Sequence, residues 1–239
     1  MLVLCSDLPL GWFPKLDLRN VYFPQLKCFA LGQHIFHHNR QIDWIISHSS
    51  TLEELYLDRC SILYQIGHTI PKWLDEEGYP KEGSNGYNWS SDPEILQDDN
   101  EFSRTLRFES INLRWHDIFF RFAEGLVLQD FRFGSSKQWK STDSRYIEQG
   151  CQSVGLPFMP WEDEKNIENQ ILGTRYLIWD DMVQEYRPRW TSQAGLYNNN
   201  KAKNSFWRDE WKARFEPYPD CREGDQSALH ALLEKIRGR

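Results

Sequence analysis

Leu52-Glu53-Glu54-Leu55-Tyr56-Leu57-Asp58-Arg59-Cys60-Ser61-Ile62 is the part of the chain that shows its architecture most plainly. Leucines stand at the first, fourth and sixth positions, a cysteine at the ninth and an isoleucine at the eleventh. Leu55 and Leu57 are two residues apart, so in an extended backbone they share one face, and Tyr56 takes the other. Leu52 closes the turn into this short strand. Cys60 falls where the chain bends away, and a thiol there can hydrogen-bond the backbone of the bend.

The pattern recurs. Leu26-Lys27-Cys28-Phe29-Ala30-Leu31 repeats it about 26 residues earlier. Between the two copies, Ile42, Ile45 and Ile46 fall at helical spacing within residues 39–48. A third copy, Leu128-Gln129-Asp130-Phe131-Arg132-Phe133, follows a helix-like run from Trp115 to Phe122. Leu106-Arg107-Phe108 reads as a fourth strand, and Leu16-Asp17-Leu18 as the truncated edge of the array. This spacing is the template of leucine-rich repeats, whose period is roughly 20–29 residues. Buried strand–helix units of an ordinary α/β domain also alternate, but the shared period favours a solenoid. The expected fold is therefore α/β: a short leucine-rich-repeat solenoid of parallel strands with flanking helices, irregular insertions and a C-terminal helix. Strands are expected around 29–31, 55–57, 106–108 and 131–133, and helices near 39–48 and 115–124.

Composition bounds the function. The 239 residues are 40% hydrophobic and 15% aromatic, with eleven tryptophans, richer in both than a disordered chain. A net charge of −7 lacks the basic stripe that phosphate binding needs, which excludes a nucleic-acid partner from expectation. No run approaches the roughly 20 apolar residues that span a bilayer, and Met1-Leu2-Val3-Leu4-Cys5 is too short for a signal peptide. Five scattered cysteines without a C-x-x-C pair suit reduced thiols. The expectation is a cytoplasmic or nuclear protein with no membrane partner.

Along the chain, residues 1–20 read as an N-terminal edge segment and 21–158 as the repeat region, with an acidic, turn-rich loop inserted at 68–103. Residues 159–239 read as an irregular Trp-rich segment, with one further strand at Thr174–Asp181 and a capping helix at 225–237. In that helix Leu229, Leu232, Leu233 and Ile236 form an apolar stripe, with Asp225 as the expected N-cap. An open array exposes the edge of its last repeat, which the stripe is expected to cover.

Few constellations suggest chemistry. His34, His37 and His38, with Cys28 nearby, lack a fourth ligand at a recognised metal spacing, and solvated loop histidines explain them. Cys60 with His48 or His68 suggests a thiol nucleophile, but Cys60 occupies a structural repeat position, where burial makes a thiol inert. Glu162-Asp163-Glu164 and Asp180-Asp181 are acidic runs of the kind usually solvated in loops, although paired acids can hydrolyse. No phosphate-binding, dinucleotide or metalloprotease motif is present. No catalytic residue, cofactor or metal is therefore expected.

Several segments together resemble the leucine-rich-repeat portion of fungal F-box proteins. They are Phe23-Pro24-Gln25-Leu26, Ile42-Asp43-Trp44 with Thr51–Asp58, Leu128–Gly134, Tyr146-Ile147, and Asp225–Leu229 with Leu232-Leu233. The resemblance implies a substrate receptor of a cullin-RING ubiquitin ligase, whose F-box binds a Skp1-type adaptor while the repeats hold the substrate. Here the repeats begin within some 25 residues of Met1, with only Asp7-Leu8-Pro9 similar to the opening of an F-box, so adaptor binding is expected only if an F-box lies upstream. The expected function is a non-enzymatic protein-interaction module. The alternatives are a hydrolase using the acids of 162–181, or a regulator that binds the same ligands without recruiting a ligase. The partner is expected on the strand face away from the core, at Tyr56, Asp58, Arg107, Asp130 and Arg132. Tyr56 would be the anchor, and Arg107 and Arg132 would grip an acidic segment. Trp161, Trp179, Trp190, Trp207 and Trp211 suggest a second surface, or the packing of an irregular region.

Overall fold

The computed structural model describes residues 1–5, 10–13, 15–68, 74–80, 107–135, 168–169, 171, 175–180, 185–187 and 219–239. In chain order the elements are β1 (Leu2–Leu4), β2 (Cys28–Gly32), β3 (Ile35–Phe36), α1 (Asn39–Ile46), β4 (Glu54–Asp58), β5 (Ser61–His68) and β6 (Arg107–Ser110). Then come α2 (Trp115–Gly125), β7 (Asp130–Ser135), β8 (Glu168–Asn169), β9 (Tyr176–Asp180), β10 (Glu185–Arg187) and α3 (Arg222–Arg237). None of these helices is long and apolar enough to cross a membrane.

The chain divides into two units. The first holds Met1–Ile62, Leu113–Arg175 and Pro219–Arg239. Its main sheet runs β1-β2-β4-β7-β8, parallel except for the last strand. Register follows the repeat: Cys28 pairs with Glu54, and Glu54 with Asp130. The offset of the first step recurs one turn later, where Ile35 of β3 pairs in parallel with Ser61 of β5. Between those two points the chain turns through Gln33 and Arg59, equivalent positions that both take left-handed backbone, at φ 52° and 53°. The turns stack, because Gln33 donates its amide to Asp58 O and Arg59 donates to Gly134 O. Cys60 caps the bend as its position suggested, its thiol donating to Leu31 O at 3.2 Å.

The core of this unit lies between sheet and helices. Phe29, Leu31, Leu55, Leu57, Phe131 and Phe133 are all buried, and each pair alternates along its strand as one face requires. Against them α1 sets Ile42 and Ile45, with Trp44 edge-on to Phe29 at 5.4 Å. In α2, Trp115, Ile118, Phe119 and Phe122 make a stripe at i, i+3, i+4 and i+7. The third repeat is aromatic on both sides: Trp115 meets Phe133 at 4.6 Å, and Phe119 meets both Phe131 and Phe133.

The C-terminal helix packs along α2 in the same direction. Leu229 and Leu232 are buried, and Leu233 and Ile236 half-buried. Asp225 is not the N-cap of its own helix, which begins three residues earlier. It is fully buried and caps α2 instead, its Oδ1 accepting the amide of His116 at 3.1 Å and the ring Nδ1–H at 2.9 Å. Its Oδ2 accepts from Arg175 Nε and Cys221 Sγ, both at 3.4 Å. At the other end Lys235 donates to Ala123 O at 2.5 Å, and Arg239 donates to Leu126 O at 3.4 Å. The anion sits at the positive end of α2 and the cations at its negative end, as the helix dipole favours.

Two expected strands are corrected. Leu16–Leu18 is not a strand; β1 forms the sheet edge, with Val3 beside Ala30. Asp17 turns that segment instead by accepting the amide and guanidinium of Arg19, and short polar side chains compete with strand pairing in this way. Residues 107–110 are a strand, but antiparallel to β5, so they are no fourth member of the parallel array. A two-residue alternation marks a strand without choosing its neighbour.

The second unit holds Leu63–Asn112 and Tyr176–Tyr218. Here β5 pairs with β6 from Gln65 to His68, and β9 pairs antiparallel with β10. Tyr64 and Tyr176 meet edge to face at 6.4 Å. Asp75 closes a tight turn, accepting the amides of Glu77 and Tyr79, with Gly78 at φ 78°. The strand expected within 174–181 is β9, and its Trp179 is buried, which removes that tryptophan from any partner surface. Tyr146–Glu148, Glu162–Glu164, Asp181, and Trp161, Trp190, Trp207 and Trp211 lie outside the described residues.

Candidate interaction face

Residues alternating with the core positions point away from the helices. Register arranges them in rows: Cys28, Glu54 and Asp130; then Val3, Ala30, Tyr56 and Arg132; then Gly32, Asp58 and Gly134. Small side chains at Cys28 and Ala30 leave room, and the Tyr56 ring packs into it beside Val3. Tyr56 is only 1% exposed and Asp58 likewise, so neither offers contact area to a partner. The anchor expected at Tyr56 is thereby corrected: period two assigns a side chain to a face but does not say that the face is bare.

What Tyr56 does is organise its neighbours. Its hydroxyl lies 3.0 Å from Glu54 Oε2 and 3.1 Å from Asp130 Oδ2. Burial, and the negative charge of these two carboxylates, push its ionisation well above the ordinary tyrosine range. Asp130 Oδ1 in turn accepts Nε–H from Arg132 at 3.0 Å. Asp130 and Arg132 are each about a third exposed on their side chains. The accessible chemistry of this face is therefore a Glu54, Asp130 and Arg132 group set around a buried phenol.

Of the five residues expected to meet a partner, the fold brings together Tyr56, Asp130 and Arg132. Asp58 stands beside them in β4 but is buried. Arg107 belongs to β6, whose backbone partner there is His68. Arg107 falls in the second unit, while Arg132 pairs with Asp130 in the first. Glu54 was legible as an outward position; its role beside Tyr56 depends on register.

The other candidates resolve into structure. His48 is fully buried, its Nδ1–H donating to Trp44 O at 2.9 Å while Nε2 accepts the Phe23 amide at 3.2 Å. Both nitrogens of His48 thus serve backbone, and Cys60, also buried, donates to Leu31 O at the bend. His34 and His37 are buried, not solvated as expected, because β3 folds their corner inward. Gln41 organises that corner: its Oε1 accepts the amides of His37 and His38, and its Nε2 donates to His34 Nε2 at 3.1 Å. No protein-family model, curated protein or solved structure matches the chain.

Proposed function

We propose that this chain is a non-enzymatic protein-interaction module of the leucine-rich-repeat kind, similar to the substrate-recognition part of an F-box ubiquitin-ligase subunit. The observation that carries the reading is the register: β2, β4 and β7 stack in parallel with equivalent residues aligned. The matched left-handed turns at Gln33 and Arg59 and the Cys60 bend support it. Such stacking repeats a surface of strand residues, on which partners of repeat proteins dock. The part of that surface open to a partner is the Glu54, Asp130 and Arg132 group. A Skp1-type adaptor joins only if an F-box lies upstream of this sequence.

Affinity capture with the full chain tests the reading. A captured protein whose binding falls at least tenfold with Arg132→Ala and Glu54→Ala, in variants that keep the wild-type circular dichroism, supports it. Undiminished binding in both rules this face out. Co-purification of a Skp1-type adaptor favours the ligase subunit, and capture of substrate without adaptor favours the regulator.

A further inference from the structure

We propose that His116, Cys221 and Asp225 form a binding site for a thiophilic divalent cation of the zinc class, placed where α3 meets α2. The three ligand atoms, one nitrogen, one sulfur and one oxygen, lie within 4.8 Å of one another. His116 Nδ1 is 2.9 Å from Asp225 Oδ1, and Cys221 Sγ is 3.4 Å from Asp225 Oδ2. Zinc bond lengths of about 2.0–2.3 Å imply donor separations of roughly 3.3–3.7 Å in a tetrahedral site, so the two short separations lie within a few tenths of an ångström of that range, and the widest, within 4.8 Å, has to close by no more than about 1.5 Å. Nitrogen, thiolate and carboxylate together are a donor set that suits zinc and disfavours calcium or magnesium, which take oxygen alone.

A second observation concerns the groups behind the ligands. The other ring nitrogen of His116, Nε2, lies 3.6 Å from Asp117 Oδ1. Without an ion the ring hydrogen is on Nδ1, facing Asp225; once Nδ1 ligates a metal, the hydrogen passes to Nε2, where Asp117 is placed to receive it, the usual support of a metal-bound histidine. Arg175 holds Asp225 through Oδ2, and the Arg175 backbone is itself fixed, its carbonyl accepting Trp115 Nε1–H at 2.9 Å and the Ile62 amide at 2.8 Å. The carboxylate is thus oriented before any ion arrives. His116 and Cys221 are only half-buried, which leaves a solvent path and room for a water as fourth ligand.

The charge balance also closes. Metal binding takes the proton from the Cys221 thiol and moves the His116 proton from Nδ1 to Nε2, so one proton is released per ion. Thiolate and carboxylate together neutralise the divalent cation, so the ion and its ligands sum to zero, and Arg175 keeps its own positive charge beside Asp225. Two helix N-termini and Arg175 all oppose a cation, so a hard ion held by oxygen alone would not stay. The thiolate is what makes this a zinc-class site, and its loss is the decisive variant.

The test uses the full chain, stripped with a chelator under reducing conditions and titrated with zinc, with cobalt as a coloured reporter. One ion should bind per chain, and cobalt should give a sulfur-to-metal charge-transfer band in the near ultraviolet. Cys221→Ser should abolish the band and weaken zinc at least tenfold, and His116→Gln should weaken zinc similarly, each with unchanged circular dichroism. Zinc should also raise the melting temperature of the wild type and not of Cys221→Ser. Absence of stoichiometric binding overturns the proposal, as does zinc affinity or a cobalt band that survives both substitutions. If either variant fails to fold, partial zinc protection of the Cys221 thiol against alkylation in the wild type decides, and no protection overturns the site.

Discussion

The first two copies of the strand pattern, β2 and β4, and the third, β7, share one register but are held by different means. From β2 to β4 the stabilising contacts are local to the repeat. Glu53 and Glu54 both donate their amides to Lys27 O, Cys60 reaches Leu31 O, and His48 ties α1 to the Phe23 amide. The α1 helix is only 8 residues long and needs these backbone links, since so short a helix is marginal alone. The third repeat has a longer, Phe-rich α2 whose N-terminus is capped by Asp225, 109 positions away in the chain. One region is therefore closed by neighbours in sequence and the other by the end of the chain. Loop closure must precede the second kind of contact, so the third repeat should order later and open first.

The strongest way to break this contrast is Asp225→Ala. It removes a buried carboxylate that accepts four hydrogen bonds, one of them from the buried Arg175 guanidinium. Breaking one side of a buried pair costs about 3–5 kcal/mol. Hydrogen exchange should show α2 and α3 losing protection while β2 and β4 keep theirs. Uniform loss across all three repeats would mean that the unit has no weaker end.

Leu57→Ala probes the other region. Leu57 is fully buried between Leu31 and Phe133 in the register, and truncation costs about 2–5 kcal/mol through lost burial and a cavity. Here the loss of protection should centre on β2, α1 and β4. A cost below about 1 kcal/mol by denaturant titration would mean that Leu57 does not sit in a core.

Acid should act on the N-terminal repeats. His34 Nε2 accepts from Gln41, so its hydrogen is on Nδ1, a buried atom with no acceptor among the described residues. Burial lowers its pKa to about 3, from an ordinary value of 6.5. The unfolded chain therefore takes up this proton first as pH falls. The stability tied to neutral His34 is complete above pH 6.5 and is lost progressively down to about 3. Between pH 7 and 5 the loss is on the order of 2 kcal/mol at 1.4 kcal/mol per unit. His34→Gln, which cannot titrate, should flatten the stability-against-pH curve by that amount. An unchanged slope would place the buried protonation elsewhere.

These contrasts also show what could be foreseen. β2, β4, β7, α1 and α2 fell within a residue or two of their expected positions, because leucine and phenylalanine spacing records burial directly. Tyr56 is not legible as buried, because its burial depends on how Cys28 and Ala30 line up across the sheet, and register is not local. Those small residues were nonetheless a visible signal that something large fills the space beside them. Asp225 differs for a related reason. Its residue type suggests an N-cap, yet it lies four residues before Leu229 and seven before Leu232, on the apolar stripe itself. A carboxylate on that stripe asks for buried donors, and only the fold says that they are His116, Arg175 and Cys221. The parallel array itself was legible in part, since β6 satisfied the strand pattern and joined β5 instead.

The smallest expected effect tests whether the fastening of α3 to α2 is concentrated at one end. Lys235 donates to Ala123 O near the last turn of α2, but it is exposed, unlike Asp225. A cation at a helix C-terminus contributes about 0.3–1 kcal/mol at low salt, and exposure lets salt screen it. Lys235→Ala should therefore cost under about 1 kcal/mol in low salt and nothing measurable in 1 M salt, the Debye length there being roughly 3 Å. The Asp225→Ala penalty should persist in both conditions, because salt screens a fully buried ion pair far less than an exposed one. If Lys235→Ala instead costs more than 2 kcal/mol, or its effect survives salt, the C-terminal end contributes as much as the buried one. The third repeat would then be held along the whole helix, and Asp225→Ala should open it only locally.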